Sequence, residues 1–352
     1  MLCVPCCKGG CKAVMRGLFV KRKVAVLMGG ASAERAVSLS TGRQILQALD
    51  PARYDVYALD TATGQASLPV SASVQTPTTE GSHTPLTALT QLGQVSRAGR
   101  PDVVFIALHG PGGEDGTVQG MLEVLGIPYT GSGVLASALA MDKVMCKRVL
   151  ASANVRMPQD VTISRGEEAE AQAALAQLPL PVIVKPSRQG STIGMSVVRE
   201  RGEMPGALEL AFAHDDTALV EEYVAGTEIT VPVLGNKTLE TLPIVEIVPA
   251  SGFYDYEAKY TAGATDEIVP ARISEAIAQQ ARELALLCHR TLGCRGMSRT
   301  DMIVDAGGRV FVLETNTIPG MTPTSLLPRS AKAAGLAFPA LLDRLIDLAL
   351  EA

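Results

Sequence analysis

A glycine pair set between two β-rich runs fixes one local structure in this chain before anything else is considered. Met302-Ile303-Val304 and Val310-Phe311-Val312-Leu313 flank Asp305-Ala306-Gly307-Gly308, and such a pair signals a hairpin because a type I′ turn needs two residues at positive φ. With Gly307-Gly308 as the loop, counting outwards sets Asp301 opposite Glu314, with Cβ atoms about 4.5–5.5 Å apart. Asn316 and Arg299 fall on the same face, since side chains in a strand repeat every second residue. Facing carboxylates repel unless a cation lies between them. Asp301, Glu314 and Asn316 offer oxygen donors only, which suits Mg²⁺ or Mn²⁺ and argues against zinc. Arg299 adds a fixed cation suited to phosphate or to a developing oxyanion. The competing reading is a surface hairpin with solvated acids. The turn-forming run Thr315–Thr322 weighs against it by offering backbone N–H groups beside the acids.

The 352 residues exceed one ordinary core, so two or three domains are expected. A net charge of −5 supplies no attraction for nucleic acid or for an anionic membrane. No apolar run reaches the roughly 18–20 residues that span a bilayer. Cys3, Cys6, Cys7 and Cys11 crowd the amino terminus without a second pair or a histidine at zinc-finger spacing, whereas Cys146, Cys288 and Cys294 stand singly in or beside apolar helical stretches. That usage fits a reducing, cytoplasmic setting. Residues 1–22 read as a non-essential leader before the first strand, with Met15 as an alternative start.

In chain order, Lys23–Met28 is a buried-strand run ending at Gly29-Gly30, and a helix is expected near Gly42–Leu49 with Ser40 or Thr41 as its cap. Strand, glycine turn and helix open a doubly wound α/β domain, which binds ligands beyond the carboxyl ends of its strands. Glu34 lies there, and on sequence alone it reads as a solvated loop acid. Tyr54–Leu59 is a second strand, and residues 60–100 are a polar elaboration with at most a short helix near 86–92. The apolar run Asp102–Leu108 is a strand buried on both faces, ending at His109 and a glycine-rich loop. Gly131-Ser132-Gly133-Val134-Leu135-Ala136 matches the dinucleotide fingerprint but lacks its context, because no acidic strand end follows at the required distance; it reads as the entry to a helix over Ser137–Ala151. Pro181–Pro186 ends in Lys185, and the loop to the next strand, Met195–Val198, carries the hydroxyl and glycine donors of a phosphate-covering lid. No Walker motif occurs. Ala218–Val224 is a further strand, Ser274 caps a helix running to Gly293 with His289 in a structural position, and Phe338–Leu350 closes the chain as an amphipathic helix.

The run LETNT followed by PGMTPTSLLP resembles the metal site of the D-alanine–D-alanine ligases, members of the ATP-grasp superfamily. The similarity extends from Lys23 to the end through GGASAERAVSLS, FIALHGPGGEDGTVQGMLEVLGIPYTGSG, ASALAMDK, VIVKPSRQGSTIGMS and FYDYEAKY. Pro111, where the family often has arginine, and Gly296-Met297-Ser298 before Arg299 depart from its pattern without removing a ligand. The resemblance implies a three-domain α/β architecture: a doubly wound parallel-sheet domain over 23–131, a central ATP-grasp subdomain over 132–226 and a carboxy-terminal one over 227–352.

It also implies site roles. Lys143 and Lys185 would bind ATP, with Glu221, Tyr223, Val224 and Glu228 around the adenosine and Lys259 at the transferring phosphoryl group. Asp301, Glu314 and Asn316 would hold two Mg²⁺ or Mn²⁺ ions. Arg299 and the Gly320 N–H would stabilise the oxyanion. Glu34 would bind the ammonium of the first D-alanine, assisted by Ser191 and Tyr260 with His109 close by, and Ser325 and Leu326 would position the second. The expected activity is ATP-dependent ligation of two D-alanines through a D-alanyl phosphate, for peptidoglycan synthesis, by a cytoplasmic homodimer. Its rivals are a D-alanine–D-lactate ligase of the same fold and a non-catalytic nucleotide-binding module built on Gly131–Ala136.

Overall fold

The computed structural model describes residues 20–63, 66–67, 100–190, 192–250 and 263–351. Cys3 to Cys11, His83, the short helix expected at 86–92, Ser191, Lys259 and Tyr260 lie outside the described residues. Three sheets organise the rest. The first contains β1 (Arg22–Met28), β2 (Tyr54–Asp60), β3 (Ala66–Ser67) and β4 (Val103–Ile106), in the order β3-β2-β1-β4. β1 runs parallel to both β2 and β4, and the apolar runs of β1 and β4 are buried on both faces, as parallel strands are.

Helix α1 (Arg35–Ala48) begins seven residues before the expected start. The expected caps fall inside the helix, Ser40 exposed and Thr41 buried with its Oγ1 3.3 Å from His109 Nε2. Ser38 Oγ donates to Ala107 O at 2.7 Å and accepts from Gly29 N at 2.9 Å, so small polar residues sit inside the helix with their hydrogen bonds met by strand ends. Glu34 becomes the N-cap residue, 6% exposed; it is a buried acid, not a solvated one. Helix α2 (Thr117–Val124) follows the loop after β4.

The single helix expected over 137–151 is two: α3 (Val134–Met141) and α4 (Lys143–Ser152). They break at Asp142, whose extended backbone frees its side chain to accept from Met145 N at 3.0 Å and from Ser187 Oγ at 3.0 Å. The break places Lys143 on the first turn of α4. Tyr129, just before Gly131, makes only an isolated bridge to Val104, so the glycine fingerprint lacks the strand that a dinucleotide fold needs.

The second sheet is antiparallel, in the order β5-β8-β6-β7, from β5 (Asp160–Ser164), β6 (Val182–Pro186), β7 (Ser196–Val198) and β8 (Thr217–Glu222). Helices α5 (Glu168–Gln177) and α6 (Met204–Phe212) cover it and share a core of its own with Ile163, Val184 and Val220.

The third sheet holds β9 (Gly226–Gly235), β10 (Leu239–Thr241), β11 (Val245–Pro249), β12 (Thr265–Ile268), β13 (Gly296–Asp305) and β14 (Val310–Asn316). Its order is β12-β11-β9-β13-β14, with β10 also on β9. Helix α7 (Glu275–Leu292) covers one face, capped by Ser274 and ended by Gly293 at φ +73°. Helices α8 (Leu326–Ala333) and α9 (Phe338–Glu351) complete the chain. Leu341, Leu342, Leu345 and Ile346 of α9 join Val24, Val26 and Phe105 in one core, so the two ends of the chain share an interior.

The β13–β14 hairpin corrects the expected turn. Gly308 N donates to Asp305 O at 2.9 Å and Asp305 N to Arg309 O at 3.0 Å, and of the two glycines only Gly308 has positive φ, +77°. This is a type I turn closed by a left-handed glycine, one residue longer than the expected loop. Val304 therefore pairs Val310. A register shift between Asp301 and Met302, where Met302 pairs Val312, then restores Asp301 opposite Glu314. Two one-residue displacements cancel at the site. The hairpin is also no isolated ribbon, because β13 pairs β9 along ten residues.

His289 is buried, with Nδ1 2.7 Å from Ser298 Oγ. Burial, aided by Arg290, lowers its pKa to about 4. A depressed folded-state value means the unfolded chain takes up the proton first, so stability falls as pH drops below about 6.5. Between pH 7 and 5 this residue should account for a loss of about 2 kcal/mol, visible as a melting temperature that falls less steeply with acidification in His289→Leu than in wild type.

Candidate active site

Two adjacent cavities, about 500 Å³ and about 400 Å³, meet at the β13–β14 hairpin. Every sequence-identified site residue among the described ones lines one or both. The first cavity contains Glu34, His109, Arg299, Asn316, Gly320, Ser325 and Leu326. The second contains Lys185, Glu221, Tyr223, Val224, Glu228 and Asp301. Lys143, Gln189 and Glu314 line both.

At the shared wall, Arg299 Nε and Nη2 hold Asp301 in a two-pronged contact at 2.9 and 2.7 Å, and Thr230 Oγ1 donates to the same carboxylate. Lys143 Nζ stands 3.8 Å from Glu314 Oε2 and donates to Gln189 O at 2.6 Å. Asn316 Oδ1 accepts from Ile318 N at 2.9 Å, which fixes the amide. Two carboxylates and an amide oxygen fit a hard divalent cation. Among the described residues no three His, Cys, Asp or Glu side chains gather to hold a metal, so Asn316, phosphate oxygens and water would complete a shell around the two acids.

The second cavity is built on a buried ion network. Glu221 on β8 takes Lys185 on one oxygen and Lys147 on the other, the latter at 2.6 Å. Lys147 also donates to Pro158 O at 2.8 Å and pairs with Asp160 at 3.0 Å. Burial alone would raise the Glu221 pKa, but Lys185 and Lys147 outweigh it and hold the carboxyl below its usual range. Lys185 shifts the other way and is raised, because Glu221 and Glu314 overcome its desolvation. Sequence reasoning missed Lys147, although it sits four residues after Lys143 and therefore one helical turn along the same face of α4.

The first cavity is acid-rich. Gly110 sits between Glu34 and Glu114: a Cβ on Gly110 would lie 2.8 Å from Glu34 Oε2, while its N–H donates to Glu114 Oε2 at 2.8 Å. Glu34 is equally close to Gly190, where a Cβ would lie 2.6 Å away. Burial first, then the charge of Glu34, pushes Glu114 up to about 8. His109, 3.3 Å from Thr41 Oγ1, is lowered to about 4 by burial and Arg299 and stays neutral. Glu114 was legible only as part of a glycine-rich loop. The second end of this cavity folds tightly, since Ser325 N donates to Thr322 O at 2.9 Å and a Cβ on Gly320 would meet Ser325 Oγ at 2.9 Å.

Comparison with known proteins shows the family. A family profile described as D-ala D-ala ligase N-terminus matches residues 23–132, and one described as D-ala D-ala ligase C-terminus matches residues 149–347. The chain belongs to the D-alanine–D-alanine ligase family. The D-alanine–D-alanine ligase of Syntrophobacter fumaroxidans is 48% identical over 94% of this chain and 98% of its own length. That of Pelotomaculum thermopropionicum is 45% identical over 94% and 97%. Among solved structures, the Bacillus anthracis ligase complexed with ATP aligns with TM-score 0.76 at 31% identity, covering 94% of this chain and 98% of that one. The VanG D-Ala:D-Ser ligase of Enterococcus faecalis aligns with TM-score 0.77 at 33% identity, covering 94% and 100%. The fold is therefore that of the ATP-grasp ligases.

A raised acid destabilises the folded state as pH rises above its unfolded value of about 4.5 towards its folded one. Glu114→Gln keeps an acceptor for Gly110 N–H and removes that penalty. Its melting temperature should exceed that of wild type by more at pH 8 than at pH 5.

Proposed function

We propose that the paired cavities carry out ATP-dependent ligation of two D-alanines to D-alanyl-D-alanine through a D-alanyl phosphate, supplying peptidoglycan precursors. The observation that carries this reading is that Glu314 lines both cavities and faces Asp301 across the hairpin. A phosphoryl group leaving the nucleotide cavity must pass this wall to reach a carboxylate in the other.

In this reading ATP occupies the second cavity, its adenosine between Glu221, Tyr223, Val224 and Glu228. Its phosphates are drawn by Lys185 and by Lys143, a cation whose place at the start of α4 favours an anion. Two Mg²⁺ or Mn²⁺ ions held by Asp301, Glu314 and Asn316 would supply charge neutralisation of the phosphates. Glu34 takes the ammonium of the first D-alanine, with Ser191 and Tyr260 assisting, and neutral His109 beside it. Lys259 contacts the moving phosphoryl group. The first carboxylate attacks the γ-phosphorus and ADP leaves. The second D-alanine, placed by Ser325 and Leu326, loses one ammonium proton to solvent, and its free amine then attacks the acyl carbon, the leaving phosphate taking up the second nitrogen proton. Arg299 and Gly320 N–H stabilise the tetrahedral oxyanion, and phosphate departs. The three structural units are assigned as domains over 23–131, 132–226 and 227–352.

A dipeptide product is favoured over a depsipeptide by the names of the curated relatives. The chain is further assigned to the cytoplasm as a homodimer, which the exposed Val124 and Leu135 would suit. Among the described residues no helix is long and apolar enough to cross a membrane.

ADP release should require both D-alanine and Mg²⁺. Glu314→Gln should lower turnover by at least about 10²-fold with the melting temperature held within a few degrees. ADP release indifferent to D-alanine would contradict the assignment.

A further inference from the structure

Among the described residues four carboxylates line the first cavity, and Glu34, Glu314 and Glu114 belong to the first substrate, to the hairpin and to the Gly110 turn in that order. Glu267 does not. It lies on β12, opposite Ile247 of β11, and lines the cavity near Arg299, Gly320, Thr322, Ser325 and Leu326. Its Oε2 pairs with Arg329 Nε at 2.6 Å, and the same Nε donates to Thr324 O at 3.1 Å. Arg329 therefore ties the turn that carries Ser325 to the edge strand that carries Glu267. Burial raises the Glu267 carboxyl above its ordinary range, with Arg329 and Arg299 opposing. A partly desolvated carboxylate gains more from a further cation than a solvated one does.

An amino acid presents its carboxylate and its ammonium from one carbon. If the carboxylate rests at Ser325 and Leu326, on the amino end of α8 with Arg329 and Arg299 nearby, the ammonium falls beside that cradle and needs a negative partner there. We infer that Glu267 receives the ammonium of the second amino acid and so selects amine over hydroxyl acceptors at that subsite. The inference rests on the ligase reading and on the placement of the second carboxylate at Ser325 and Leu326. A hydroxy acid would forgo this charge-assisted contact, and selection by a missing partner is how such a site discriminates.

The test separates the two halves of the reaction. With ATP, Mg²⁺ and D-alanine, hydroxylamine captures the D-alanyl phosphate: an acyl carbon–nitrogen bond forms, the carbon–oxygen bond to phosphate breaks, and D-alanine hydroxamate and phosphate leave. At D-alanine concentrations well below the KM of the second subsite, where that subsite is empty, this capture does not depend on the acceptor's ammonium site. Glu267→Gln should make hydroxamate within about twofold of wild type, while the KM for the second D-alanine rises at least about tenfold. In a mixture of D-alanine and D-lactate, its dipeptide-to-depsipeptide ratio should fall by a similar factor, and Glu267→Asp should recover part of both. An unchanged second KM with an unchanged product ratio would overturn the inference. So would loss of hydroxamate at an unaltered melting temperature, which would place Glu267 in the first half-reaction. Wild-type protein that forms no hydroxamate would instead overturn the ligase reading itself.

Discussion

The structure is arranged to hold two carboxylates face to face. Asp301 and Glu314 pair directly across β13 and β14, a placement that costs stability unless positive charge compensates it. Arg299 grips one acid and Lys143 approaches the other. Both cations reach the site from separately positioned elements, Arg299 from the same strand two residues away and Lys143 from the helix break at Asp142. The surrounding sheet makes the pairing rigid, since β13 is bonded on both edges and cannot slip without breaking β9 as well.

The same packing explains how the site can be stiff on one side and adjustable on the other. The amino-terminal sheet and α9 share one core, reinforced at the rim by Tyr54 and Arg53 on Asp343 and by Arg22 on Asp347. The sheet that carries Lys185 and Glu221 has a separate core. Helices α3 and α4 belong to neither, because Ala136, Cys146 and Leu150 pack with Ile229 and Val231 of the third sheet. Lys143 and Lys147 therefore stand on the hairpin's own foundation, and Lys147 reaches across to Glu221. The cavity lined by Lys185 and Glu221 thus lies at a seam between two independently packed bodies, where closure costs little core packing.

Much of this was legible in the chain. The buried strands near Lys23 and Asp102, the capped helix after Ser274 and the facing acids Asp301 and Glu314 were marked by periodicity, caps and the hairpin signal. What misled was context. Ser40 and Thr41 read as helix caps because nothing in a sequence shows that the helix starts earlier, where Ser38 bonds Gly29 N and Ala107 O at the ends of two strands. The hairpin register came out right at Asp301 through a longer turn and a bulge that cancel, neither of which Gly307-Gly308 announces. Glu34 looked solvated because its burial depends on Gly110 and Gly190, far away in sequence. Glu267 and Lys147 escaped notice for the same reason: their partners, Arg329 and Glu221, lie on other elements.

The central claim is most directly tested by anomalous scattering from a crystal grown with Mn²⁺ and a non-hydrolysable ATP analogue. Manganese peaks within coordination distance of Asp301, Glu314 and Asn316, with the analogue's terminal phosphate beside them, are the predicted result. Peaks elsewhere, or a nucleotide lodged outside the cavity lined by Lys185 and Glu221, would contradict the account.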